Sequence, residues 1–161
     1  MMAVLQIAII VILDQLTKFW VTAKFSLYES KEIIPGFFNL TYITNKGAAF
    51  GFLGGDYGQW RHIFFIVVAI AALVFLYFAF KQFKNESRLF AFSITMIAGG
   101  AIGNLIDRIR SGAVVDFLDF YIKGYHWPAF NVADSAIFVG VTIFIMAHLL
   151  THNDEDNPQS D

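Results

Sequence analysis

The chain has 161 residues, of which 57% are hydrophobic, 17% aromatic and 15% charged. Soluble domains carry about 25% charged residues, so an ordinary water-soluble globule is excluded, and nineteen Phe with three Pro exclude a disordered or fibrous chain. The net charge is -2, and Asp154, Glu155, Asp156 and Asp161 supply four of the thirteen acids. With or without that tail there is no basic field of the kind nucleic acid requires, so no nucleic-acid partner is expected.

Length fits one domain, expected over 1–151 with an acidic, disordered tail at 152–161. There is no Cys, which excludes disulfides, thiol nucleophiles and Cys metal sites. His62, His126, His148 and His152 lack zinc-ligand spacing. No cofactor is expected.

Four apolar blocks follow in chain order: 3–21, 63–80, 89–106 and 132–150, each of 18 or 19 residues. That is about the length a helix needs to cross the hydrocarbon layer. The first block could instead be a cleaved signal peptide. Its lack of Lys or Arg before the apolar run, and the interruption at Asp14, argue against that. The second block carries no charge. The third holds Gly99 and Gly103 as a GxxxG pair, which predicts close packing on a neighbouring helix. The expected fold is a mainly α membrane protein with four transmembrane helices.

The connections are unequal. Residues 81–88 form a short turn, whereas 22–62 and 107–131 are long and share the opposite face. Trp20, Trp60 and Trp127 all belong to that face, with Tyr28, Tyr42, Tyr57, Tyr121 and Tyr125. Two readings are open: these rings lie on the membrane surface, or they fill a small core between the loops. Phe37–Ile43 and Ala113–Ile122 have strand character. Pro35-Gly36, Gly54-Gly55 and Gly58 punctuate the first loop as turns. A small antiparallel sheet on the outer membrane surface is expected, with room for a short interfacial helix near 56–61. For orientation, a raw count of basic residues places the long loops in the cytoplasm. Their density in the short turn (Lys81, Lys84, Arg88) places that turn there instead.

Ionisable residues near a membrane are costly and therefore functional suspects. Asp14 and Lys18 stand at i and i+4, the favourable order for a helical ion pair. A purely neutralising role accounts for them equally well. Asn104, Asp107 and Arg108 share a face at the end of the third helix. Asp107 is badly placed for the helix dipole and needs Arg108 or another cation. Asp116 interrupts the apolar run GAVVDFLDF, and strand alternation turns Asp119 to the opposite face. Asp134 sits at the third position of the fourth helix, where Asn131 and Asp134 form a capping box. Both Asp116 and Asp134 fall on the long-loop side. Two carboxylates meeting in a desolvated site would share one proton, which is the requirement of aspartic protease chemistry. Spacing alone does not make them meet.

Beyond this the motifs themselves are informative. DQLTK (14–18), NKGAAFG (45–51), IAGGAIGNLIDR (97–108), GAVVDF (112–117) and FNVAD (130–134) together resemble the bacterial lipoprotein signal peptidase family, signal peptidase II. The resemblance runs from the first helix to the fourth. It implies a bacterial inner-membrane aspartic endopeptidase with both termini cytoplasmic and the long loops periplasmic. The enzyme would cut prolipoproteins before the diacylglyceryl-modified Cys. Asp116 and Asp134 would be the catalytic dyad. Asp14, Lys18, Asn45, Gly47, Asn104, Asp107, Arg108 and Asn131 would support the site or position substrate. The implied partners are lipid-modified prolipoproteins, membrane lipids and, as inhibitors, cyclic peptide antibiotics such as globomycin. A monomer is expected. Asn45 and Asn131, whose amides donate and accept, suit an unwound substrate backbone. Two other classes remain as readings of the residues: a proton-coupled transporter or channel subunit, and a non-enzymatic membrane scaffold.

Overall fold

The computed structural model describes residues 2–47 and 58–155. In chain order the elements are α1 (Met2–Lys24), β1 (Ser30–Ile34), β2 (Phe38–Asn45), α2 (Gly58–Phe83), α3 (Arg88–Ser111), β3 (Val114–Ile122), β4 (Tyr125–His126) and α4 (Val132–Glu155). The helices are the four expected apolar blocks, and each contains a stretch long and apolar enough to cross a membrane. Each also overruns its block. α3 continues past Asn104 to Ser111, so Asp107 and Arg108 are helical. α4 runs to Glu155, four residues into the expected tail. Residues 58–61 are the opening turn of α2 rather than a separate interfacial helix, and Gly58 starts α2 instead of marking a turn. Residues 56 and 57, the Gly54-Gly55 turn and the end of the NKGAAFG motif lie outside the described residues.

α3 is the central helix and packs on α1, α2 and α4. Its start is fixed by Ser87, whose Oγ accepts from the Leu89 N–H at 3.1 Å as an N-cap. Its end is fixed by Gly112 at φ 73°, whose N–H reaches the Arg108 carbonyl. A left-handed C-cap of this kind favours glycine, and it turns the chain directly into β3. The small residues of α3 set the helix spacing. Gly99 faces Ile10 of α1, Gly100 faces the Ala133 backbone of α4, and Gly103 faces Asp14. The GxxxG pair therefore serves α1, and the intervening Gly100 serves α4.

The four strands form an antiparallel sheet in the order β1-β2-β3-β4 at the C-terminal ends of α1 and α3. Strands β2 and β3 are the two expected ones. β1 and the two-residue β4 are additional. Tyr121, Glu32 and Gly36 tie the sheet edge together: the Gly36 N–H donates to Glu32 at 3.1 Å, and the Tyr121 hydroxyl donates to the same carboxylate. The β2–β3 register slips between Leu40 and Ile43, a bulge that resets the strand opposite Asp116. Between the loops, the clustered rings among the described residues are Phe rather than Trp or Tyr. Phe120 stacks on Phe130 and packs against Phe37 and Phe38. The three Trp are exposed at this end of the bundle.

Candidate active site

Where α1, α3, β3 and the start of α4 converge, the sequence places polar side chains in otherwise apolar elements, and these side chains find one another. Lys18 is 3% exposed. Its ammonium contacts Asp14 Oδ2 at 2.9 Å, Asp107 Oδ2 at 2.8 Å and Asn104 Oδ1 at 3.0 Å. Three donors thus meet three acceptors. The i,i+4 pair is real, but Lys18 also serves as the cation for Asp107. Arg108, the first candidate for that duty, points elsewhere: its guanidinium lies 5.5 Å above the Phe65 ring of α2. Asp116, Asp134 and Asp107 remain its electrostatic neighbours.

Asp14 is fully buried and reaches across helices. Its Oδ1 accepts the Ala133 N–H at 2.9 Å in the first turn of α4. That N–H is one of the donors a helix start leaves unpaired. Asp107 Oδ2 also accepts the Val115 N–H at 3.2 Å, which fixes β3 next to α3. Gln15 joins the same carboxylates, donating to Asp107 Oδ1 at 2.9 Å and Asp14 Oδ2 at 3.2 Å. Sequence reasoning missed Gln15. The available signal was a second uncharged polar residue beside Asp14 inside an apolar block.

The capping box forms as expected. The Asp134 N–H donates to Asn131 Oδ1 at 2.9 Å, and the Asn131 N–H donates back to Asp134 Oδ2 at 3.3 Å. Capping does not exhaust Asp134. Its Oδ1 accepts from Asn104 Nδ2 at 2.7 Å, and the residue is only part-buried. Asn131 is fully buried, and its Nδ2 donates to Asp116 Oδ1 at 2.7 Å. The same amide also reaches Asn104 Oδ1 and the Val115 carbonyl. Asn131 is thus tied to α3, to β3 and to its own helix cap. Its amide nitrogen is fully engaged, so the side chain braces the site, and its Oδ1 accepts from the Asp134 N–H. Asn45 hydrogen-bonds Asp116 from β2 and accepts the Gly47 N–H at 3.0 Å.

Asp116 and Asp134 thus lie on either side of one asparagine, with Asn104 behind Asp134. Asp116 is 4% exposed. Burial first, and then the Asp134 charge, push its carboxyl up to about 7, against the opposing hydrogen bonds from Asn131 and Asn45. Such a group holds or releases a proton at neutral pH. Asp119 belongs to a separate cluster, accepting from Asn39 Nδ2 at 2.9 Å and lying 2.8 Å from His126 Nδ1. It is buried as well, which alternation did not foresee. An apolar cleft of about 490 Å³ opens beside Asp134, walled by Phe120, Trp127, Phe130, Phe138 and Val139.

Comparison with known proteins gives a consistent picture. The family model Peptidase A8, signal peptidase (SPase) II, matches residues 6–150. The chain is 49% identical over 140 residues to the lipoprotein signal peptidase of Geobacter metallireducens, covering 86% of this chain and 85% of that protein. It is 46% identical over 142 residues to the lipoprotein signal peptidase of Janthinobacterium sp. (strain Marseille), covering 88% and 84% respectively. The fold is similar to a bacterial membrane enzyme solved by the in meso method at 2.3 Å, with a TM-score of 0.81 and 34% identity over 99% of this chain and 94% of that one.

Proposed function

The chain belongs to the signal peptidase II family of membrane peptidases, and from that premise we propose that it removes lipoprotein signal peptides by water attack at a dyad of Asp116 and Asp134. What carries this reading is the pairing of two carboxylates around Asn131, with Asp116 raised to about 7. The pair then holds one proton at neutral pH. Asp134 receives N–H donors on both oxygens, an arrangement that suits a carboxylate. In this assignment the proton rests on Asp116.

A water between the two is deprotonated by Asp134 as it attacks the scissile carbonyl, while Asp116 donates a hydrogen bond to the carbonyl oxygen. The tetrahedral intermediate then collapses. The C–N bond breaks, and the proton taken up by Asp134 passes to the leaving amine. The products are a signal peptide with a new carboxyl group and a lipoprotein with a free amino group on its Cys. Lys18, Asp14, Asp107 and Asn104 act as positioning residues, holding α1, α3 and α4 in register around the pair. Asn45 positions Asp116, and Gly47 fixes the Asn45 side chain.

Cleavage just before the diacylglyceryl-modified Cys is part of the proposal. The apolar cleft beside Asp134 suits lipid or an apolar segment of the precursor, and each buried CH₂ contributes roughly 0.8 kcal/mol. The natural setting of this reading is the bacterial inner membrane, with cytoplasmic termini and the dyad at the periplasmic leaflet. Globomycin, a cyclic peptide, would compete at the dyad. A transporter reading gains no support, because the buried acids Asp14, Asp107 and Asp116 gather at one end of the bundle with Asp134.

The test is a gel-shift assay on lipidated precursor in micelles. Asp116→Asn and Asp134→Asn each abolish cleavage, Asp119→Asn retains most of it, and precursor with an unmodified Cys is cut far more slowly. Robust turnover by either dyad variant removes the assignment, and equal rates on both precursors remove the lipid requirement.

A further inference from the structure

A second cleft, of about 350 Å³, opens between α1, α3, β2 and the start of β3, with Lys18 and Asp107 in its lining. Neither Asp116 nor Asp134 lines it. Its size lies in the range of small-molecule sites, roughly 300–1,000 Å³. The charges facing it are Lys18, Asp107, Lys46 and Arg110. The first two are spent on each other and on Asp14, leaving that buried trio at a formal charge of -1. Lys46 and Arg110 are exposed and form no ion pair among the described residues, so they bring the cleft to a net +1. Tyr42 and Thr44 add two hydroxyls from β2. Two exposed cations of different geometry beside two hydroxyls are the donor set a phosphodiester needs.

The cleft also has a lipid side. Phe19 lines it and is 70% exposed. Leu16 and Ile12 are exposed on the same face of α1 at successive helical spacings and run from the cleft toward the middle of the membrane. A headgroup held in the cleft would lay an acyl chain along this stripe. Basic pockets between transmembrane helices take phospholipid headgroups by the same combination of charge and apolar track. We propose that this cleft binds the phosphodiester headgroup of an anionic phospholipid from the leaflet on the sheet side of the membrane. Arg110 grips the phosphate, and Lys46 supplies the second charge.

The experiment uses the purified full chain in neutral detergent, titrated with phosphatidylglycerol and phosphatidylcholine, with bound lipid counted by native mass spectrometry. One phosphatidylglycerol is held about tenfold more tightly than phosphatidylcholine. Lys46→Ala with Arg110→Ala removes that preference, and Arg110→Lys weakens it because an ammonium lacks the guanidinium fork. Both side chains are exposed and form no ion pair among the described residues, so folding is not at stake. Lys31→Ala, an exposed cation on β1, leaves the preference unchanged and separates the cleft from general surface charge. Equal retention of the two lipids, or an unchanged preference in the double variant, overturns the proposal. Glycerol 3-phosphate and inorganic phosphate compete only at concentrations far above the lipid's. If either displaces the lipid at equal concentration, the site is one for soluble phosphate and the lipid assignment falls.

Discussion

Helices α2 and α3 are similar in length and lie side by side, yet they are built on opposite rules. α2 is the most apolar helix of the four, and among its described side chains only Leu76 joins the buried core. α3 is less apolar and is the most buried. Seven of its nine buried residues are small or polar: Ser93, Thr95, Gly99, Gly100, Gly103, Asn104 and Asp107. In water that ordering would be inverted. In a bilayer, lipid solvates Phe75 and Phe78 as well as a protein core would, so apolarity does not drive a helix inward. Close approach and hydrogen bonding do. The interior of this molecule is found by looking for what lipid cannot satisfy.

The sharpest break of that contrast is made at Lys18. Lys18→Met leaves Asp14 and Asp107 buried without a cation. Removing one partner of a buried charge network costs about 3–5 kcal/mol, so thermal unfolding in detergent shifts strongly downward and cleavage is lost. A wild-type melting temperature for this variant would mean the network is not structural.

Gly100→Leu comes next. A Cβ there collides with the Ala133 carbonyl and comes within 2.7 Å of Ile137. Overpacking costs about 1–3 kcal/mol, and here it also pushes α4 and Asp134 away from α3. Loss of activity greater than the loss of stability is the expected signature. Full activity in a folded protein would show that the α3–α4 spacing does not set the proposed dyad.

The pH response is gentler and confined to the polar end. Asp116 is raised to about 7 from an ordinary 3.8. The folded state therefore holds its proton more tightly than the unfolded state. This contribution to stability is complete below about pH 3.8 and is lost as pH rises through about 7. Stability should fall over that window in the wild type and be flatter in Asp116→Asn, as read by melting temperature against pH. If the proposed dyad acts, activity should fall by half near pH 7 on the alkaline side, as Asp116 loses its proton. An alkaline limb beginning only above pH 9 would contradict the assignment.

The smallest effect belongs to α2. Phe75→Leu, at a side chain 71% exposed toward lipid, should change stability by less than about 0.5 kcal/mol and leave the pH profile alone. A large loss would mark α2 as part of an interface.

Much of this was legible in the sequence. The helices follow from apolar runs, since a span requires them, and β2 and β3 follow from their β-branched and aromatic residues. The Asp14–Lys18 pair and the Asn131–Asp134 cap are local, so spacing finds them. Partners brought together by tertiary packing were not legible. Nothing in the sequence around Asp107 points to Lys18, and nothing near Arg108 points to Phe65. Helix ends were misread for a related reason. α3 outlasts its apolar run because Lys18, Gln15 and β3 satisfy Asp107, whereas hydropathy alone stops at Ile106. The partners that the Asn131 amide finds on α3 and β3 were equally hidden, because a sequence cannot count the partners a side chain already has.

The split of Lys18 between two acids has a consequence for how the chain is made. α1 is synthesised first, and its Asp14 and Lys18 neutralise each other within one turn, so the nascent helix can enter the bilayer unaided. Asp107 arrives later, and neither Arg108 nor Arg110 forms an ion pair with it. Its cation is already waiting on α1. The first helix is therefore a receptor for the third during biogenesis, and a chain translated without α1 should leave α3 poorly inserted in a glycosylation-mapping assay.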